Sequence, residues 1–116
     1  MTDTNHLSPY QFAALNRLEV TRGEIWLYKA ILPSGYSKGG LSYPNGAAVL
    51  DYQWQPTYTY LHGIFLCPTA AACLRWAKRE KIALVQMLRC RVHLDDILVL
   101  DAECVKTPHV LEVVWL

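Results

Sequence analysis

The sequence predicts an α+β domain: a mostly antiparallel sheet carrying two helices, at about residues 9–20 and 69–80. Three observations lead there. Runs rich in aromatic and branched residues recur at 24–32, 60–66 and 83–94, and each is bounded by turn-forming residues. Two junctions mark helix starts: the capping hydroxyl of Ser8 ahead of Pro9, and Cys67-Pro68-Thr69, where a strand turns directly into a helix. A length of 116 residues fits one domain around one hydrophobic core and is too short for two.

In chain order, residues 1–6 read as a polar start, and 1–7 are expected to form a flexible N-terminus. Tyr10, Ala13, Ala14, Arg17 and Leu18 then recur at helical spacing up to the stop Thr21-Arg22-Gly23. Residues 24–32 are apolar on both alternating faces, which predicts a central strand. Residues 33–45 hold most of the loop-forming residues of the chain, and a loop this long in a compact domain serves to lid or line a site. Residues 46–50 are a short strand, and 51–59 are aromatic but broken by Pro56. The strand 60–66 ends at Cys67-Pro68-Thr69 and turns directly into the second helix, whose apolar side is Ala70, Cys73, Leu74 and Ala77. In 83–94, Leu84, Leu88, Cys90, Val92 and Leu94 share one face and Arg89, Arg91 and His93 the other. Residues 97–100 and 110–115 complete the sheet.

Composition narrows the function classes. With 53% apolar and 18% charged residues, the chain is neither disordered nor strongly charged. A net charge of +1 supplies no global field, so an anionic partner must be met by a local patch. Polar residues at the start, in place of a secretory leader, and the lack of a long apolar run predict a cytoplasmic protein with no membrane segment. Cys67, Cys73, Cys90 and Cys104 form no C-x-x-C pair and read as small apolar residues, so no metal is expected.

Two constellations carry chemistry. Arg89, Arg91 and His93 alternate along one strand, spaced for an extended anion or a pyrophosphate, or else for cross-strand partners such as Glu112 or Asp101. Without Gly-rich basic or tandem aromatic motifs, nucleic acid is a minor candidate partner. Trp26 and Tyr28, with Tyr52, Trp54, Tyr58, Tyr60 and Phe65, supply flat rings for a planar ligand, a protein interface or a core. His62 stands beside them as an acid or base near neutral pH. The rings of Phe65 and Trp26 are expected to open onto one cavity roofed by the segment after Leu32.

The run Tyr60-x-x-Gly63-Ile64-Phe65-Leu66-x-Pro68-Thr69, with Trp76-Ala77 after it and Leu27-Tyr28-Lys29-Ala30 before it, resembles the core of the ADP-ribosyltransferase-like superfamily over about residues 26–94. The resemblance implies a split antiparallel sheet around a cleft that takes the nicotinamide end of NAD. It sets Lys29 where the family has His or Arg on the ligand and Phe65 where a Tyr packs on the nicotinamide. Trp26, Tyr28 and His62 join that ligand set. Glu112, on the last strand, stands where a catalytic Glu is expected, with Asp101 a competitor for the role. Lysine lacks the fork of arginine, and phenylalanine lacks the hydroxyl of tyrosine.

Those departures favour a non-catalytic descendant, of the kind found in bacteria and phages as stand-alone factors or inhibitors of host enzymes. It would bind a protein partner or small ligand through the aromatic cleft and through Tyr36, Lys38 and Tyr43 of the loop. The alternatives are an active NAD-dependent ADP-ribosyltransferase and a nucleic-acid-binding module using Arg89 and Arg91. The apolar C-terminal strand offers an edge for pairing with a second copy.

Overall fold

A computed structural model describes residues 6–116. Of the N-terminal segment read as flexible, 1–5 lie outside the described residues, whereas His6 and Leu7 are held. His6 stacks on Tyr58 with ring centroids 4.0 Å apart, and its Nδ1 lies 3.1 Å from the Val99 carbonyl. Leu7 packs against the core.

The fold is α+β with two helices and antiparallel strand pairing. Helix α1 spans Pro9–Leu15 and opens on a reciprocal capping box, in which Ser8 Oγ accepts from the Gln11 amide and Gln11 Oε1 accepts from the Ser8 amide. It ends earlier than the periodicity predicts. The Arg17 amide donates to the Ala14 carbonyl and the Leu18 amide to that of Ala13, with Arg17 in the left-handed region at φ 54. This is a Schellman stop with arginine where glycine is usual, so nothing in the sequence announces it. Leu18 folds back onto the core instead of extending the helix.

Strand β1 (Glu24–Ile31) pairs with β4 (Gln86–His93), and β4 pairs with β8 (Glu112–Trp115). The middle strand of this sheet is therefore β4, not β1 as its two apolar faces predicted. The second apolar face of β1 has another cause. Helix α2 (Ala70–Arg79) covers its end, packing Cys73 and Ala77 on Ala30. Thr69 Oγ1 caps that helix at the Ala72 amide. Its buried side is Ala72, Cys73 and Ala77, while Leu74, expected to be buried, faces solvent.

A second sheet joins β3 (Ile64–Leu66), β6 (Cys104–Thr107) and β5 (Leu98–Asp101) in the order β3-β6-β5. A two-stranded piece joins β2 (Val49–Leu50) and β7 (His109–Val110). Strand β6 has no counterpart among the predicted strands. At its centre is Lys106, a residue that argues against burial, yet it is fully buried. Its ammonium donates to the Leu61 carbonyl at 2.8 Å and Thr57 Oγ1 at 3.3 Å, and lies 5.3 Å from the centroid of the Trp54 ring. One lysine thus anchors the aromatic segment that Pro56 interrupts, and burial lowers its pKa.

The core lies between the two larger sheets. Ile25, Leu27, Leu88, Cys90, Val92 and Val113 meet Phe12, Ile64, Leu66, Val99 and Val105 there. Of the predicted 83–94 face, Leu88, Cys90, Val92 and Leu94 are buried, but Leu84 precedes the strand and is exposed. The outer edge of β8, the strand offered for self-pairing, is occupied by the chain itself. Gly46 donates to the Val113 carbonyl at 2.7 Å, Val113 to that of Ala47 at 2.9 Å, and Asn45 Oδ1 accepts from the Trp115 amide at 2.9 Å.

Candidate functional site

The two larger sheets touch through an antiparallel bridge between Tyr28 and Cys67, whose amides and carbonyls exchange two 2.8 Å hydrogen bonds. Beyond it the strands diverge. Backbone groups alternate sides along a strand, so the carbonyl of Phe65, two residues before Cys67, also points toward β1 and needs a partner there. Lys29 supplies it, its Nζ donating at 3.0 Å. A lysine thus takes the place of a missing strand neighbour at the point where the sheets part.

The gap opens into a cleft of about 1220 Å³, lined by Lys29, Tyr43, Phe65, Cys67 and Trp76 among others. One wall is the tip of the loop read as a lid. It is an ordered hairpin: Tyr36 and Ser42 bridge, the Ser37 amide donates to the Leu41 carbonyl, and Tyr43 is fully buried at its base. The carbonyl of Tyr43 accepts from Trp115 Nε1 at 2.7 Å, which ties the loop to β8. At the mouth, Lys38 pairs with Glu80 at the end of α2 at 2.5 Å. An exposed pair of this kind contributes at most about 1 kcal/mol, so it closes the cleft without locking it.

Electrostatics at the floor are unusual. Lys29 is half-buried, and no ion pair among the described residues involves it. Burial lowers its pKa, opposed by the neighbouring thiols of Cys90, Cys73 and Cys67. Its ammonium also lies 5.4 Å from the centroid of the Tyr43 ring. The neighbouring Cys73 thiol pulls the Cys67 thiol below its usual range against the effect of burial, and Lys29 adds to the pull. Cys67 in turn, with burial, raises the thiol of Cys73. Burial pushes Cys104 up to about 12. Across the cleft Tyr60 donates to Asp101 at 2.5 Å, which with burial and the carboxylate charge pushes the phenol up to about 12.

Of the residues singled out in the sequence, Lys29, Phe65, Tyr43 and Lys38 meet in this cleft. Tyr36 sits half exposed at the hairpin base, outside the lining. Trp26 does not share the cavity of Phe65. The pairs Trp26–Arg91 and Tyr28–Arg89 place those four side chains on the face of the sheet opposite Lys29, around a separate hollow of about 650 Å³. The single roofed cavity expected from the sequence is therefore two. Glu112 is on that second face as well, opposite Arg91, whose Nε it accepts at 3.3 Å. Asp101, the competitor, lines the cleft with Lys29 and Phe65. His62 lines neither; it turns the chain ahead of β3 at φ 56 with its side chain exposed.

Sequence reasoning missed Trp76, Asp51 and Gln53 as lining residues, and the lowered thiol of Cys67. The last had a signal, because Cys67 stands at the strand-to-helix junction already marked as a pocket rim. No described helix is long and apolar enough to cross a membrane. In comparison with known proteins, the chain matches no family model, no curated protein and no solved structure.

Proposed function

We propose that this chain is a non-catalytic binding domain on an ADP-ribosyltransferase-like plan, which holds a small planar ligand, such as the nicotinamide end of NAD, in the cleft behind the 33–45 loop. The observation that carries the reading is Lys29. It is a half-buried lysine with no carboxylate partner among the described residues, set among Tyr43, Phe65 and Trp76, with a main-chain carbonyl as its hydrogen-bond acceptor. A ligand carbonyl or amide oxygen offers that ammonium a second acceptor while the rings cover a flat heterocycle. The position of Glu112 on the far face, neutralised by Arg91, supports binding over catalysis.

Thermal-shift and calorimetric titration with nicotinamide and NAD tests the reading. Binding should raise the melting temperature of the protein, and Lys29→Met and Phe65→Ala should abolish the shift while remaining folded. Unchanged melting with both ligands, or equal shifts in the variants, overturns it. Asp101 supports a second reading, an active transferase with this carboxylate facing the ribose. Release of nicotinamide from NAD by the wild type, lost in Asp101→Asn and retained in Glu112→Gln, would establish it.

A further inference from the structure

The second hollow has its own chemistry, independent of the cleft. Trp26 and Tyr28 of β1 and Arg89 and Arg91 of β4 line it, with Arg17 and Arg22 on the segment that follows α1. The guanidinium of Arg91 is matched: Nη1 donates to Glu24 at 2.8 Å and Nε to Glu112 at 3.3 Å. Arg89 is not. It lies 4.6 Å from the centroid of the Trp26 ring, and its Nε is buried with no hydrogen-bond partner among the described residues. No ion pair among those residues includes Arg17, Arg22 or Arg89.

An aromatic ring behind a guanidinium holds it in one plane and leaves its edge for an acceptor. A buried N–H without an acceptor lowers stability, and the loss is recovered when an anion arrives. Glu19 also lines the hollow and offsets one of the three unmatched arginines, and Arg91 is held by both Glu24 and Glu112, so the group keeps a single net positive charge. Three guanidiniums outside any ion pair among the described residues offer many N–H donors, which suits an anion with several oxygens better than a single carboxylate. Arg17 and Arg22 are both held in the left-handed region, at φ 54 and 55, by turns that place them on the same rim.

We propose that this hollow binds the phosphate or pyrophosphate group of a small phosphorylated ligand, with Arg89 as the planar donor and Arg17 and Arg22 as the charges that close over it. A nucleic-acid backbone would need cations extending beyond the hollow, and Arg75, on the exposed side of α2, is already paired with Glu103.

Titration calorimetry of the full chain with sodium pyrophosphate at low salt is the test, alongside a mixed single-stranded oligonucleotide. We expect one site per chain for pyrophosphate, weakened about tenfold or more in Arg89→Gln and in Arg17→Gln and unchanged in Arg75→Gln. Arg17 is exposed, so its variant keeps the result interpretable if Arg89→Gln fails to fold. Three results overturn the proposal: no binding by the wild type, equal binding by Arg17→Gln, or tighter binding of the oligonucleotide that is lost in Arg75→Gln.

Discussion

Replacing Lys29 by Met should change the pH dependence of stability in a defined direction. The folded state holds the Lys29 proton less tightly than the unfolded chain, because burial disfavours the ammonium. Between the lowered folded value and the ordinary value of 10.5, the unfolded chain therefore binds more protons, and stability rises with pH. The slope approaches about 1.4 kcal/mol per pH unit where the two states differ by a whole proton, and vanishes below the window. Above the window the neutral amine still donates to the Phe65 carbonyl, a bond worth about 1 kcal/mol that Met cannot make. Wild type minus Lys29→Met should thus climb with pH and level off near +1 kcal/mol. Urea unfolding from about pH 7 to about pH 10 measures the climb toward that plateau. Because Cys67 titrates with Lys29 beside it, both proteins should carry Cys67→Ser. A difference that is flat or falls across this range would refute the assignment of Lys29 as a cation depressed by burial.

Three further outcomes are expected. Lys106→Ala should destabilise by about 4 kcal/mol, from three buried methylenes and a charge-assisted bond, and Lys106→Met by only about half as much; equal urea midpoints would show that the stem contributes nothing. Gly23→Ala should lower stability by more than about 1 kcal/mol, since φ is +75 and an added Cβ would meet the His93 ring at 2.9 Å; a thermal melt unchanged from wild type would contradict this. Iodoacetamide should alkylate Cys67 before Cys73, Cys90 or Cys104, because its thiol alone among the four is lowered and it lines the cleft; peptide mass spectrometry showing another cysteine modified first would refute it.

What was legible followed from local rules. Ser8-Pro9 and Cys67-Pro68-Thr69 marked the helix starts correctly, and the alternation in 83–94 separated the buried residues from the arginines. Local rules failed where tertiary partners decide. Arg17 and Lys81 both end helices at positive φ, a task for which the sequence offers no glycine. Lys106 hid a strand because its burial depends on the Leu61 carbonyl and the Trp54 ring, both remote in the chain. Glu112 was placed by chain order alone, and order does not reveal which face of a strand a residue occupies. Cross-strand register does: Glu112 opposite Arg91 opposite Trp26 lies on one face, and Lys29 opposite Leu88 opposite Trp115 on the other.

That register also explains how one short strand serves two sites. The period of β1 sends Trp26 and Tyr28 to the arginine hollow and Lys29 to the cleft. The Tyr28–Cys67 bridge joins the two sheets between these sites. A shift of β1 against β4 by one residue would carry Lys29 to the arginine face and the indole of Trp26 into the core, so both sites depend on the same pairing. Leu27 and Cys90, fully buried and directly opposite each other, resist that shift. The alternation of inward and outward residues that builds the core is therefore also what keeps Lys29 of the cleft apart from the arginines behind it.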